Sequence, residues 1–329
     1  MTPLDDTAAL LDRARGGDER AFSVLAGEYR SELALHCYRM LGSMTDADDA
    51  VQETLLAAWR GLAGFAGRSS LRTWLYAIAT RVCLRLAEQR PPRMLSWDAH
   101  PARDPLGDLG VPDGGTAWLE PWLASPDDPA ELSARRESVS LAFLAALQLL
   151  PPNQRATLLL RDVLGYSAAE TAELLDTSVA SANSALQRAR ATLERSGATP
   201  EATGAAEASV ADRQAVDAFV TAFEAGDVHA LIDLLAEEVR FTMPPLPAWF
   251  DGRADVAAFL EHRSLVTPWR VRRRLIVNGA PALLADQWRD GEWRLSALMV
   301  LTIRDGRVAW IASFLDPATL LAADSAADR

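Results

Sequence analysis

Residues 167–195 read SAAETAELLDTSVASANSALQRARATLER, the pattern of two short helices joined by a tight turn. Ser167, with Glu170 three residues on, makes a capping box that satisfies amide donors left unpaired at a helix start. Ala172 stands where two helix backbones must approach closely. Asp176 falls at the turn, where the chain needs a residue tolerant of left-handed geometry. Thr177 or Ser178 is suited to cap the second helix. Ala182, Ala185 and Leu186 give that helix an inward face, and Ser181, Asn183, Ser184, Arg188 and Arg190 an outward one. In a helix-turn-helix the second helix enters the major groove, where Asn reads adenine and Arg reads guanine or phosphate. The same caps and small residues suit an αα-hairpin in a helical bundle, so the motif needs support from elsewhere in the chain.

Charge supplies it. The chain has 329 residues and a net charge of −12, and all 33 basic residues are arginine. An acidic average argues against nucleic acid, but the charge is segregated. Between Arg60 and Arg93 stand seven arginines and one acid, Glu88, interleaved with Phe65, Trp74 and Tyr76. Arginine for phosphates and aromatics for base stacking suit melted or single-stranded DNA. Trp74, with Ile78 one turn on, reads equally as core. Just upstream, Asp46, Asp48, Asp49 and Glu53 form an acidic face that repels DNA and suits a protein partner.

Three- and four-residue apolar spacing makes residues 5 to about 92 helical. Gly42-Ser43 stops one helix, Thr45 or Asp46 is expected to cap the next, and the last runs from about Leu71 to Gln89 before Pro91-Pro92. From Asp98 to Glu131 there are eight acids and one arginine, in a stretch rich in Pro and Gly that carries Trp118-Leu119-Glu120-Pro121-Trp122. Exposed indoles are unusual in a solubilising spacer. Helices resume near Pro129 and run to Ser196, and 197–210 reads as a flexible linker.

From Asp212 the pattern becomes α+β. Two helices are expected at about 212–225 and 228–236, with Gly226 closing the first and Asp227 capping the second. Strands are expected at Val239–Met243, Arg272–Asn278, Ala282–Arg289, Trp293–Ile303 and Val308–Phe314. Asp290-Gly291 and Asp305-Gly306 mark hairpin turns in a curved antiparallel sheet. Cys37 and Cys83 lack metal-ligand spacing and read as buried thiols. No metal and no cofactor are expected. No apolar run reaches membrane length, so a cytoplasmic protein without a membrane partner is expected.

Taken together, DADDAVQETLLAAWRGLAGFAGRSSLRTWLYAIATRVCL and LQLLPPNQRATLLLRDVLGYSAAETAELLDTSVASANSALQRARATL resemble domains 2 and 4 of the extracytoplasmic-function (ECF) sigma factors of bacterial RNA polymerase. The segment after Asp212 looks like a SnoaL-like (NTF2-like) cone. The fold implied is multidomain: two all-α domains, the second with the helix-turn-helix, followed by an α+β cone. The expected boundaries are 1–93 for sigma domain 2, 94–131 for the acidic linker, 132–196 for sigma domain 4, 197–210 for the flexible linker and 211–329 for the cone.

The resemblance also implies roles. Asp46, Asp48, Asp49, Gln52, Glu53 and Trp59 would bind core polymerase at its clamp, with the flap as a second polymerase contact. Phe65, Arg68, Ser69, Ser70, Arg72, Trp74, Tyr76 and Arg81 would handle the minus-ten element. Ser181, Asn183, Ser184, Arg188 and Arg190 would read the minus-thirty-five element. Relatives often carry Asn at the place of Arg81, and a valine and a basic residue where Ala182 and Asn183 stand, so promoter sequence does not transfer. Trp118, Glu120, Pro121 and Trp122 resemble a linker motif thought to touch the C-terminal extension.

The cone implies a pocket, for which Phe241, Met243, Trp249, Phe250, Trp288 and Trp310 are the candidate lining, open to a small ligand or an intramolecular contact. Arg270, Arg272, Arg273 and Arg274 are candidates to pair with the acidic linker or the clamp-binding face. Catalysis would need an acid or base; Asp251, His229 and His262 are available without an evident partner, so no catalytic residue is assigned and no enzyme is expected. The expected function is promoter-specific transcription initiation, modulated in cis by the cone. The competing reading is a one-component helix-turn-helix regulator with a ligand-sensing C-terminal domain.

Overall fold

A computed structural model describes residues 3–114, 117–123, 140–196 and 209–325. The helix start expected near Pro129 and most of the linker expected at 197–210 lie outside the described residues. The described chain forms two compact units. The first takes in the chain to Arg93 and the stretch from Ala142; the second takes in the stretch from Met94 and the chain from Ser209.

The first unit is all helical. It opens with α1 (Pro3–Arg15), α2 (Glu19–Gly27), α3 (Arg30–Leu41), α4 (Met44–Gly61) and α5 (Leu71–Gln89). Gly42 ends α3 with φ 72°, where a Cβ is disfavoured. Ser43, not Thr45 or Asp46, caps α4: its hydroxyl accepts from the Asp46 amide at 3.1 Å. The cap lies earlier because the helix begins as soon as the chain leaves Gly42, so Asp46 falls within the first turn.

The helix-turn-helix is Ala168–Leu174 and Val179–Ser196, with the Ser167–Glu170 capping box in place and Asp176 at φ 52°. Before it run Leu141–Gln148 and Pro152–Leu158, the latter widening into a π turn over Leu159–Val163. Leu160 and Leu174 pack with Ala77 of α5. Arg155 is 3% exposed; its Nη1 donates to the Met40 carbonyl and, at 2.6 Å, to Gln148 Oε1, and its Nη2 donates to the Leu150 carbonyl at 3.0 Å. Burial lowers its pKa to about 10, and the ring of carbonyls compensates a guanidinium without a carboxylate.

His36 is buried beside Thr80, with Nε2 2.9 Å from Oγ1. The Thr80 hydroxyl donates to the Tyr76 carbonyl at 2.7 Å, so it accepts from His36, which is therefore the neutral Nε2–H tautomer. Burial first, then the nearby Arg39 and Arg72 charges, lower the His36 pKa to about 3. The unfolded chain takes up this proton near pH 6.5 and the folded one does not, so stability falls as pH drops from about 6.5 towards 3. The slope is about 1.4 kcal/mol per pH unit. In chemical denaturation at pH 7 and pH 5, a His36→Gln variant is expected to lose about 2 kcal/mol less stability over that interval than the parent.

The second unit is a cone. After Val210–Ala225 and Val228–Asp233, six strands form one sheet: β1 (Leu235–Thr242), β2 (Trp249–Asp251), β3 (Trp269–Val277), β4 (Ala280–Arg289), β5 (Glu292–Arg304) and β6 (Arg307–Phe314). The spatial order is β2-β1-β6-β5-β4-β3. The sheet is mixed rather than purely antiparallel as expected, because β1 pairs parallel with β6. Alternation within one strand reports burial but not the direction of a distant partner. Asp290-Gly291 and Asp305-Gly306 form the expected turns, and Asn278-Gly279 forms a third. The helices Arg253–Phe259 and Pro317–Ser325 complete the unit.

The acidic segment belongs to this unit. Leu109 packs against the cone's core. The Arg103 amide donates to the Trp249 carbonyl at 3.1 Å and the Asp113 amide to the Pro245 carbonyl at 2.9 Å. Leu119 is buried, and the Trp122 amide donates to Asn278 Oδ1 at 2.8 Å.

Candidate nucleic-acid interface

The helix Val179–Ser196 divides by face. Ala182, Ala185, Leu186, Ala189 and Leu193 are buried, while Ser181, Asn183, Ser184 and Arg188 are exposed. Ser178 caps its start, accepting from the Ser181 amide at 3.1 Å. The outward set is thus held rigidly on a helix anchored by its small residues. Arg190 differs: Nε and Nη2 reach Asp162 at 2.9 and 2.6 Å, so its fork is occupied within the unit. Sequence spacing placed it on the outer face but could not show an acid brought there from 28 positions away.

The basic region of α5 also divides. Arg68, Ser69 and Arg81 are exposed, and Ser70 is exposed while capping α5 through the Thr73 amide. Tyr76, expected at the DNA, is 2% exposed, with its hydroxyl 3.3 Å from Glu32 Oε2. Burial first, and then the Glu32 charge, push its pKa up. Arg72 grips the same carboxylate through Nε at 2.8 Å and Nη2 at 2.7 Å and lies over the Tyr76 ring at 4.8 Å. The Glu32 hydrogen bond raises the Arg72 pKa. Arg72, Tyr76 and Glu32 therefore form a brace between α3 and α5.

Phe65 is 8% exposed, 4.9 Å from the half-buried Trp74, with Arg15 over its ring at 5.6 Å. Neither aromatic is free for a base in this arrangement. The signal for burial was present in the periodicity, since Trp74 and Ile78 share a face, but the aromatic-plus-arginine composition outweighed it.

On α4, Asp48, Asp49, Gln52 and Glu53 are exposed. Asp46, expected among them, is 7% exposed and bridges Arg90 and Arg93, the latter at 2.6 Å. It ties α4 to the end of α5. Glu53 pairs with Arg85. Trp59 is half-buried against Phe22, with ring centroids 5.2 Å apart.

In the cone a cavity of about 580 Å³ is lined by Phe241 and Met243 as expected. Trp249, Phe250, Trp288 and Trp310 are not on its wall. The register explains three of them. Thr242 pairs with Trp249 and Arg240 with Trp310, so both tryptophans share the face opposite Phe241. Gln287 lines the cavity, which turns Trp288 outward to 38% exposure. Phe250 is buried in the core.

Trp97 from the acidic segment packs on that outer face, 4.8 Å from Trp310 and 6.3 Å from Trp249, with Arg240 over its ring at 5.0 Å. In the Trp118–Trp122 motif, the Trp118 indole donates to the Asp113 carbonyl at 3.1 Å, Glu120 is half-buried, and Pro121 and Trp122 are buried.

The arginines of β3 find acids within the cone. Arg270 and Arg272 bind the buried Asp286 at 2.8 and 2.9 Å, Arg272 and Arg273 approach Asp324, and Arg274 pairs with Asp217. Asp251 is exposed beside Arg240, and His229 and His262 are exposed; none lines the cavity. Among the described residues no cluster of His, Cys, Asp or Glu is placed to hold a metal ion. No helix among them is long and apolar enough to cross a membrane. Cys37 and Cys83 are both free and buried, and burial pushes the Cys83 thiol up.

Comparison with known proteins agrees with this layout. Family models match at residues 25–90 (Sigma-70 region 2), 140–193 (Sigma-70, region 4) and 216–311 (SnoaL-like domain). The chain is 43% identical over 308 residues to the ECF RNA polymerase sigma factor SigG of Mycobacterium tuberculosis, covering 91% of this chain and 83% of that one. It is 30% identical over 182 residues to the ECF RNA polymerase sigma-E factor of Escherichia coli, covering 55% of this chain and 88% of the relative. The crystal structure of the Mycobacterium tuberculosis extracytoplasmic function sigma factor SigJ shares the fold, with a TM-score of 0.62 and 23% identity, over 91% of this chain and 98% of that one.

Proposed function

The chain belongs to the ECF sigma factors of bacterial RNA polymerase, and on that premise we propose how its exposed residues divide the work of transcription initiation. Asp48, Asp49, Gln52 and Glu53 on α4 dock on the polymerase clamp, with Trp59 stiffening the helix from behind. Arg68, Ser69, Ser70 and Arg81 meet the minus-ten element. Ser181, Asn183, Ser184 and Arg188 read the minus-thirty-five element, in the part of the molecule that also faces the flap. The observation carrying this reading is the split of Val179–Ser196 into a buried small-residue face and an exposed polar face.

The side chains engaged within the helical unit act indirectly. Arg72, Tyr76 and Asp46 hold α3, α4 and α5 together so that the exposed groups keep their spacing. Phe65 and the half-buried Trp74 form a tilted pair beside the loop 66–70, with Arg15 over the Phe65 ring, so an unstacked base reaches Phe65 only if Arg15 is displaced. Base capture takes a few kcal/mol of unstacking, which such aromatic contacts can return. Elements roughly 25 base pairs apart lie on the order of 85 Å apart on B-DNA. The packing of Leu160 and Leu174 on Ala77 must therefore open when both elements are engaged.

Run-off transcription with core polymerase and the full-length protein tests the assignment. Tyr76→Phe is expected to keep specific transcription within about twofold, because only the hydroxyl's long contacts to Glu32 and Arg72 are lost. Arg81→Ala is expected to lower it by about fivefold or more through a lost phosphate or base contact. Equal loss in both variants would return Tyr76 to the DNA surface.

The cone modulates initiation through the segment 94–123. What supports this is the docking of that segment by Trp97, Leu109 and Trp122, since a segment packed on the cone is withheld from any other path.

A further inference from the structure

We propose that the cone's cavity binds an amphipathic small molecule with an apolar body and a single carboxylate. At about 580 Å³ the cavity is within the range of sites for drug-sized ligands. Its walls are apolar and aromatic, with Phe219, Phe223, Phe241, Phe259, Met243 and Met299 among them. Among the described residues its charged lining is two arginines, Arg263 and Arg289, with no Asp, Glu or His. An apolar chamber whose charged groups are cationic selects an anion with a greasy body and disfavours an amine, which would meet like charge at the polar end. A lining without a carboxylate or imidazole offers no general base, so the site is built for binding rather than turnover.

The polar end is structured. Gln287 is 7% exposed and lines the cavity; its Nε2 donates to Thr267 Oγ1 at 2.7 Å and its Oε1 accepts from Arg289 Nε at 2.5 Å. That contact orients the Arg289 guanidinium and leaves its terminal nitrogens to bind a carboxylate. Arg263 donates from Nη1 to the Gly107 carbonyl. Both arginines are exposed residues, so the carboxylate end lies where the cavity meets solvent.

One wall comes from outside the cone's own sequence. Leu109 of the acidic segment lines the cavity, and Gly110 beside it fits against Pro247 so closely that a Cβ would stand 2.8 Å from the ring. Arg263 thus touches both the cavity and the segment. A ligand that fills the cavity packs on Leu109 and competes for or shares Arg263, so occupancy changes how firmly residues 101–114 are held. The binding claim stands independently of which residues read the promoter; its coupling to transcription rests on the modulatory role proposed for the segment.

The test uses the full-length protein, with 1-anilinonaphthalene-8-sulfonate as the fluorescent probe and decanoate, decanol and decylammonium as competitors. Saturable probe binding is expected, displaced by decanoate at least about tenfold more effectively than by decylammonium, with decanol between them. Arg289→Gln is expected to erase most of the preference for decanoate over decanol. Ala297→Phe, which fills the cavity from β5, is expected to abolish saturable binding. Should that variant fold poorly by circular dichroism, Ser313→Leu from β6 makes the same test. Decanoate is also expected to change the rate of proteolysis within residues 101–114. Absence of saturable binding, equal competition by the cationic and anionic probes, or undiminished binding in a folded cavity-filling variant would overturn the proposal. Binding with no change in proteolysis would overturn the coupling to the segment and leave the site itself.

Discussion

Arg188→Ala is expected to lower run-off transcription from a specific promoter by about tenfold or more, with core polymerase in excess. A lost bidentate base contact is worth about 1–3 kcal/mol of discrimination. Arg188 stands on the exposed face of a helix whose other face is locked by Ala182, Ala185, Leu186 and Ala189. Removing its side chain subtracts a contact without loosening the helix. Arg190→Ala makes the internal comparison. Its fork is already bound to Asp162, so the contact it offers DNA must first be released, and a loss of about threefold or less is expected. If Arg188 reads a base, its loss relaxes the preference at one promoter position. If it binds phosphate, all promoters weaken together and the salt slope falls by about one. Equal losses for the two arginines would mean that the Asp162 pair does not persist on DNA.

The second large effect is expected at Trp97. Trp97→Ala removes the ring that packs on Trp249 and Trp310 and carries the Arg240 guanidinium. Truncating a half-buried tryptophan costs about 2 kcal/mol, below the cost at a fully buried one, which shifts a docking equilibrium by about thirtyfold. Limited proteolysis should then cut within 101–114 about thirty times faster, provided opening precedes cleavage. The cone itself is expected to keep its melting transition, because its core of Phe219, Phe223, Phe241 and Phe259 does not include Trp97. Transcription by this variant gives the sign of the modulation: a rise means that the docked segment restrains initiation, and a fall means that it assists. Unchanged proteolysis would mean that Trp122 and Leu109 hold the segment without Trp97.

Local features of the chain were legible because they depend on near neighbours. The capping box at Ser167, the left-handed Asp176, the hairpin turns at Asp290-Gly291 and Asp305-Gly306, and the small-residue face of Val179–Ser196 are each decided within about eight residues. The family resemblance added the order of the domains and the roles expected of α4 and α5. Composition was a poorer guide to exposure. Seven arginines among aromatics between Arg60 and Arg93 suggested one DNA-facing surface. The fold spends Arg72 on Glu32 and Arg90 with Arg93 on Asp46, and it buries Tyr76 beside Glu32.

The sequence by itself determined the helix-turn-helix and the outward faces of its second helix and, Asp46 excepted, of α4, from periodicity, caps and turns, which are short-range; the family resemblance supplied the succession of two helical domains and a cone. Only the tertiary structure decided which charged residues remain free, because an ion pair such as Arg190–Asp162 or Arg72–Glu32 joins positions 28 and 40 residues apart. It alone chose the cavity wall, since strand register sends Phe241 inward and Trp249 and Trp310 outward. It alone also turned the acidic stretch, by composition a spacer, into part of the cone. Leu109 finds apolar cover there that no neighbour in sequence could offer, Leu119 and Trp122 are buried, and burying such surface opposes the entropy of a free linker.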